Sequence, residues 1–99
     1  MNWAYLVRCR DGSLYAGWTP DIERRLAAHN AGTGAKYTRG RGPVRLAYAE
    51  AFDTKSGAMA REAALKRMTK AQKEALAAGY AAEGEPLGAG EESPNREEV

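Results

Sequence analysis

The sequence predicts an α/β (α+β) fold: a small three-stranded, mainly antiparallel sheet flanked by helices, in the order β-β-α-β-α-α. Three observations carry that expectation. Apolar and aromatic residues alternate from Trp3 to Cys9 and again from Leu14 to Trp18, on either side of Asp11-Gly12, a strong hairpin signal. Thr19-Pro20-Asp21, Asp53-Thr54 and Thr69-Lys70-Ala71-Gln72 each have the make-up of a helix start. A third strand-like run, Val44 to Phe52, lies between the first and second of these starts.

The register of the first hairpin decides which side chains meet. A two-residue turn at Asp11-Gly12 opposes Arg8 to Tyr15 and sends Tyr5 and Tyr15 to opposite faces. A three-residue loop, Arg10-Asp11-Gly12, with Gly12 left-handed in a bulge, pairs Cys9 with Ser13 and Val7 with Tyr15, and puts both tyrosines on one face. The bulged turn is the expectation.

Thr19 or Asp21 can cap the next helix, and Pro20 is tolerated only in its first turn. The helix runs to about Asn30, with Ile22 and Leu26 as its buried stripe. Arg25 and His29 stand beside that stripe, one turn apart, at the rim of the sheet. In the third strand, Val44, Leu46, Tyr48 and Phe52 fall on one face and alanines on the other. A second helix over about 55–68 presents Ala58, Met59, Leu65 and Met68, with Glu62 inside that apolar stripe. An inward carboxylate is costly unless a cation or donor meets it. A short last helix ends near Gly79-Tyr80.

Ninety-nine residues fit a single domain, one that buries only roughly 60 to 65% of its unfolded surface. The division expected is a domain over 1–80 and an acidic, Gly/Pro/Glu-rich tail over 81–99 that cannot offset its own ordering entropy. Residues 1–80 carry 14 Lys/Arg against 7 Asp/Glu, whereas 81–99 carry 1 against 6. A basic domain with an acidic extension suits a polyanionic partner. The single cysteine, Cys9, excludes an internal disulfide and reads as a small core hydrophobe; Trp18 reads as core too. No run is long and apolar enough for a membrane span, and the N-terminus lacks the pattern of a secretory leader, so a cytoplasmic setting is expected.

Residues 31–43 form a glycine-rich loop with Lys36, Arg39 and Arg41 around Tyr37. Such a loop can follow a phosphate backbone while the ring stacks on a base. It is not a P-loop, because no Gly-Lys-Ser or Gly-Lys-Thr closes it. Phosphodiester hydrolysis needs an activated water, a cation over the phosphate and charge stabilisation for the leaving oxygen. Glu62 is a hard oxygen ligand suited to Mg2+ or Mn2+, and Arg25 presents a planar fork to phosphate. Tyr5 and Tyr15 can position or deprotonate the water, and His29 can orient a tyrosine or shuttle a proton.

Tyr15-Ala16-Gly17, with Arg25 ten residues after the tyrosine and His29 four further on, resembles the GIY-YIG nuclease domain. Trp3-Ala4-Tyr5 stands where that family has its first triplet. The wording DGSLYAGWTPDIERRL, followed by GAKYTR and a helix with Arg-Glu, is similar to that of the small single-domain bacterial GIY-YIG proteins. The resemblance spans roughly the first four fifths of the chain. It implies a GIY-YIG endonuclease-like fold, with Tyr5, Tyr15 and Arg25 at the reacting phosphate and Glu62 as metal ligand. It also implies a metal-dependent DNA endonuclease, a hydrolase acting on structured or single-stranded DNA in repair or recombination. The chain departs from the family at Trp18, where many members carry lysine, and at Glu74, where some carry asparagine; the first triplet keeps only its tyrosine. Two alternatives stand beside the nuclease: a non-catalytic nucleic-acid-binding module using Lys36, Tyr37, Arg39 and Arg41, or an accessory subunit of a repair complex.

Overall fold

A computed structural model describes residues 1–83 of the chain. It contains β1 (Asn2–Arg8), β2 (Leu14–Thr19), α1 (Ile22–Asn30), β3 (Arg45–Phe52), α2 (Lys55–Arg67) and α3 (Lys70–Ala82). The strands form one antiparallel sheet in the order β2-β1-β3. The expected β-β-α-β-α-α order is therefore the observed one.

The β1–β2 turn is the bulged one. The Cys9 amide donates to Ser13 O at 2.9 Å, the Gly12 amide donates to Cys9 O at 2.9 Å, and Gly12 has φ of +88°. Asp11 closes the loop by accepting from the Ser13 amide at 3.0 Å. Val7 then opposes Tyr15 and Tyr5 opposes Gly17. Asp21 rather than Thr19 caps α1, accepting from the Arg24 amide at 3.1 Å, while Thr19 Oγ1 accepts from the Asp21 amide.

β3 corrects the expectation that Val44, Leu46, Tyr48 and Phe52 share a face. Leu6 opposes Tyr48 but Val7 opposes Leu46, so Ala47 is an extra residue on β3. One inserted residue reverses the alternation on either side of it. Val44 and Leu46 accordingly pack with Tyr5 and Val7, whereas Tyr48 and Phe52 pack with Ala4 and Leu6.

The sheet thus separates two interiors. On one face α1 covers Tyr5, Val7 and Cys9 with Ile22 and Leu26. On the other, α2 and α3 bring Leu65 and Ala77 onto Ala4, Leu6, Leu14 and Ala16. Thr54 caps α2 by accepting from the Gly57 amide at 3.0 Å, and Thr69 and Gln72 form the capping box of α3. Arg8 ties α3 to the hairpin: its guanidinium donates to Glu74 Oε1 at 2.7 Å and to Gly12 O at 3.1 Å. Glu74, noted above as a departure, is therefore a structural ion-pair partner, and Arg8 holds its carboxyl down at about 2.

Three smaller expectations change. Met59 is 43% exposed rather than buried, because α2 turns only Ala58 and Leu65 fully inward. Trp18 is half-buried at the end of β2, with Lys55 Nζ 5.4 Å from its ring centroid. α3 continues through Ala81 and Ala82, two residues into the segment expected as tail; 84–99 lie outside the described residues.

Candidate active site

Tyr5 is the centre of the α1 face and is almost completely buried, at 1% exposure. Its neighbour on β2 is Gly17, and a Cβ there would lie 2.4 Å from Tyr5 Oη. Only glycine leaves the phenol its place. This gives the Tyr15-Ala16-Gly17 triplet a physical sense: Tyr15 joins Tyr5 on the α1 face, Ala16 fills the opposite core, and Gly17 makes room for the Tyr5 ring.

α1 delivers two side chains to that ring. His29 Nε2 is 2.9 Å from Tyr5 Oη, and Arg25 Nε donates to the same oxygen at 3.4 Å. His29 is buried, at 1% exposure, rather than at the rim as its spacing suggested. Its ring meets those of Tyr5 and Tyr15 edge-on, with centroids 5.9 and 5.7 Å away. Arg25 is half-buried and lines an open groove with Thr19, Asp21 and Arg24, so it is reachable from outside.

The loop over 31–43 completes the pocket in a way the sequence did not indicate. His29 Nδ1 lies 2.7 Å from Thr38 Oγ1, and Thr38 is itself buried at 1% exposure. A Cβ on Gly34 would come within 2.5 Å of His29 Nδ1, so the loop closes directly onto the imidazole. Asn30 pins the loop's return by bonding the amide and the carbonyl of Val44. The wording GAKYTR brought Gly34 and Thr38 into the resemblance, but nothing in it gave Thr38 a role beside His29.

The loop's charged residues divide into two kinds. Lys36 and Arg39 are exposed, and among the described residues their side chains make no hydrogen bond or ion pair. Arg41 is already engaged: it donates to Asp11 at 3.2 Å and to Tyr37 O at 2.7 Å, and its Cζ lies 4.2 Å from the Tyr37 ring centroid. Tyr37 stacks on Tyr15 at 5.4 Å with the rings 15° apart, while remaining 39% exposed. The expectation of four free nucleic-acid contacts is thereby narrowed: Arg41 is held in the loop and Tyr37 extends a ring platform that begins at Tyr15.

Electrostatics set the resting state. Burial pushes the Tyr5 phenol up, with the Arg25 hydrogen bond and charge pulling it partly back and the charge of Glu62 adding to the rise. Burial first, and then the Arg25 charge, push the His29 imidazole down. At neutral pH the centre therefore holds a protonated phenol against a neutral imidazole.

Glu62 approaches from α2. Its side chain is 20% exposed, and Lys66 Nζ stands 3.3 Å from one carboxylate oxygen. It is thus partly open to solvent, while its charge is felt at the Tyr5 phenol. Among the described residues no three His, Cys, Asp or Glu side chains gather into a metal cage. A lone, partly exposed carboxylate near a buried phenol fits a hard divalent ion that keeps most of its waters and takes further oxygens from a phosphate.

Comparison with known proteins bears on the family and the fold. The model of the GIY-YIG catalytic domain matches residues 1–75. A UPF0213 protein from Halobacterium salinarum is 57% identical over 76 residues, covering 77% of this chain and 99% of its own length. Another from Clostridium perfringens is 55% identical over 73 residues, covering 74% and 78% respectively. The solution NMR structure of a UPF0213 protein from Bacillus halodurans is similar with a TM-score of 0.51 and 47% identity, covering 79% of this chain and 84% of that one. A second NMR structure, of an E. faecalis protein, gives 0.54 and 44%, covering 82% and 86%. Its match to the family model over three quarters of its length, and its identity with these relatives, show that this chain belongs to the GIY-YIG domain family, alongside the small UPF0213 proteins.

Proposed function

We propose that the protein is a metal-dependent endonuclease that hydrolyses DNA phosphodiester bonds, with structured or single-stranded DNA of repair or recombination as its substrate and the cytoplasm as its setting. The observation that carries the reading is the Tyr5 hydroxyl, buried and held between the Arg25 guanidinium and His29 Nε2. A phenol with a cation on one side and a base on the other is built to pass a proton.

Arg25 presents its remaining N–H groups to the phosphate and offsets the charge that develops on it. As the attacking water bonds to phosphorus, it gives its proton to the Tyr5 oxygen while Tyr5 gives its own to His29 Nε2. The phosphorus–oxygen bond to the leaving group breaks, and that oxygen takes a proton from solvent. His29 returns its proton to solvent once the products have left. A divalent ion, Mg2+ or Mn2+, held by Glu62 would supply Lewis-acid polarisation of the phosphate. Lys36, Arg39 and the Tyr15–Tyr37 platform hold the flanking strand.

The test is cleavage of labelled single-stranded, duplex and branched DNA with Mg2+ or Mn2+, comparing the intact chain with Glu62→Ala. Metal-dependent cutting that disappears in the variant is the expected result. The exposed Lys36 and Arg39 favour a second reading, a module that holds nucleic acid without cutting it. If neither protein cuts while both bind with a logarithmic salt slope of about −0.7 to −0.9 per phosphate contact, the module is the better account.

A further inference from the structure

We infer that Thr38 is a positioning residue that fixes the proton of His29 on Nδ1, leaving Nε2 bare to receive the proton of Tyr5. The hydroxyl of Thr38 has a single hydrogen to donate. Thr38 Oγ1 lies 3.1 Å from the carbonyl oxygen of Ala35, a group that can only accept. With its hydrogen placed there, Thr38 meets His29 Nδ1, 2.7 Å away, as an acceptor, so Nδ1 carries the hydrogen. A neutral imidazole protonated at Nδ1 has a lone pair at Nε2, and Tyr5 Oη, 2.9 Å from it, is the donor. Arg25 Nε–H then arrives on the Tyr5 oxygen from another side, where an oxygen that has directed its hydrogen elsewhere accepts it.

The opposite direction fails at Tyr5. Were Thr38 to donate to Nδ1, then Nε2–H and Arg25 would both donate to Tyr5 Oη. The hydrogen of a phenol at 1% exposure would be left with no acceptor among the described residues. An unmet buried donor costs about 1–3 kcal/mol. Only one direction satisfies every group: Tyr5 to His29 to Thr38 to the Ala35 carbonyl. The groups around the imidazole come from every neighbouring element: Tyr5 from β1, Tyr15 from β2, Arg25 from α1 and Thr38 from the loop, with Glu62 of α2 acting through Tyr5.

The loop thereby does more than border the site. Gly34 lets it close on the ring, Thr38 sets the ring's proton, and the exposed Lys36 and Arg39 flank Thr38 in sequence. A strand held by Lys36 and Arg39 would therefore be held by the segment that sets the proton direction at Tyr5. The tautomer stands on geometry alone; its kinetic consequence rests on the nuclease reading above.

The experiment is long-range 1H–15N NMR of the full 15N-labelled chain, in which His29 is the only histidine. Because a protonated ring nitrogen resonates far from a bare one, the spectrum reads the tautomer directly. The intact chain and Thr38→Ser should both show protonated Nδ1 and bare Nε2, while Thr38→Val, which leaves either Nδ1–H or the Tyr5 hydrogen unmet, should populate both tautomers. Protonated Nε2 in the intact chain overturns the inference, as does an unchanged Nδ1–H spectrum in a folded Thr38→Val. Should Thr38→Val fail to fold, the intact chain and Thr38→Ser decide alone. In cleavage assays Thr38→Val should slow the chemical step severalfold with DNA binding unchanged, and Thr38→Ser should restore it. An intact chain that shows the Nδ1–H tautomer yet cuts no DNA removes the nuclease reading and leaves the positioning role of Thr38 in place.

Discussion

Leu6 points into an interior of alanines and leucines, whereas Tyr5, its neighbour on the same strand, points into one whose buried groups include a phenol, an imidazole and a hydroxyl. The two faces bury their side chains equally well, but different forces hold them. The α2/α3 face gains from apolar area removed from water, about 25 cal/mol per Å². On the α1 face, each polar group must recover its lost hydration from another, and such networks contribute little beyond what an aliphatic filling would. The comparison teaches that the α2/α3 face is held chiefly by apolar burial, whereas the α1 face adds a polar relay to an apolar cluster of its own.

The largest expected effect tests the first half of that division. Leu65→Ala opens a cavity in the α2/α3 face and should cost about 2–5 kcal/mol, read as a lowered denaturant midpoint. Met59→Ala, on the same helix but exposed, should stay within about 0.5 kcal/mol. A small loss at Leu65 would break the comparison.

A pair of glycines sharpens it. Gly17→Ala places a Cβ against Tyr5 Oη and should abolish cleavage by displacing the phenol. Gly79→Ala, in α3, meets nothing within 4 Å and should stabilise the chain by about 0.5–1 kcal/mol without touching activity. Thermal unfolding alongside cleavage rates separates the two outcomes.

Acid provides the smallest and most selective probe. His29 is harder to protonate in the folded chain than in the unfolded one, so the unfolded state takes up the proton first. Stability should therefore begin to fall as pH drops below about 6.5, and His29→Gln should remove that early slope. Glu74 acts lower: its folded carboxyl lies at about 2, so the Arg8 pairing is fully present above its unfolded value and is lost as pH falls toward 2. Glu74→Gln should flatten that second limb alone. Melting temperature against pH for the three proteins shows whether the limbs belong to different faces.

Much of this was legible in the sequence because it depends on local rules. The bulged turn followed from requiring Tyr5 and Tyr15 to share a face, and Asp21, Thr54 and Thr69 announced their helices by side-chain chemistry. What was not legible depends on tertiary placement. The bulge at Ala47 has no turn residue to mark it, so alternation in β3 was carried through a point where it reverses. Thr38 and Gly34 act on His29 only after the loop folds back onto α1. Arg41 looked like a free cation because its partners, Asp11 and Tyr37, depend on how the loop meets the hairpin. Glu62 was read as pointing inward; its side chain is 20% exposed and pairs with Lys66 one turn on, a partner that the apolar stripe did not suggest.

The measurement closest to the central claim is single-turnover cleavage of DNA by Tyr5→Phe against the intact chain, with binding and unfolding followed in parallel. The substitution removes one oxygen from a ring that keeps its packing. The account predicts an unchanged fold and DNA affinity, with cleavage slowed by about 10²–10⁴-fold. Cleavage by Tyr5→Phe at the rate of the intact chain would contradict it, because the hydroxyl between Arg25 and His29 would then be a structural feature and not the centre of the reaction.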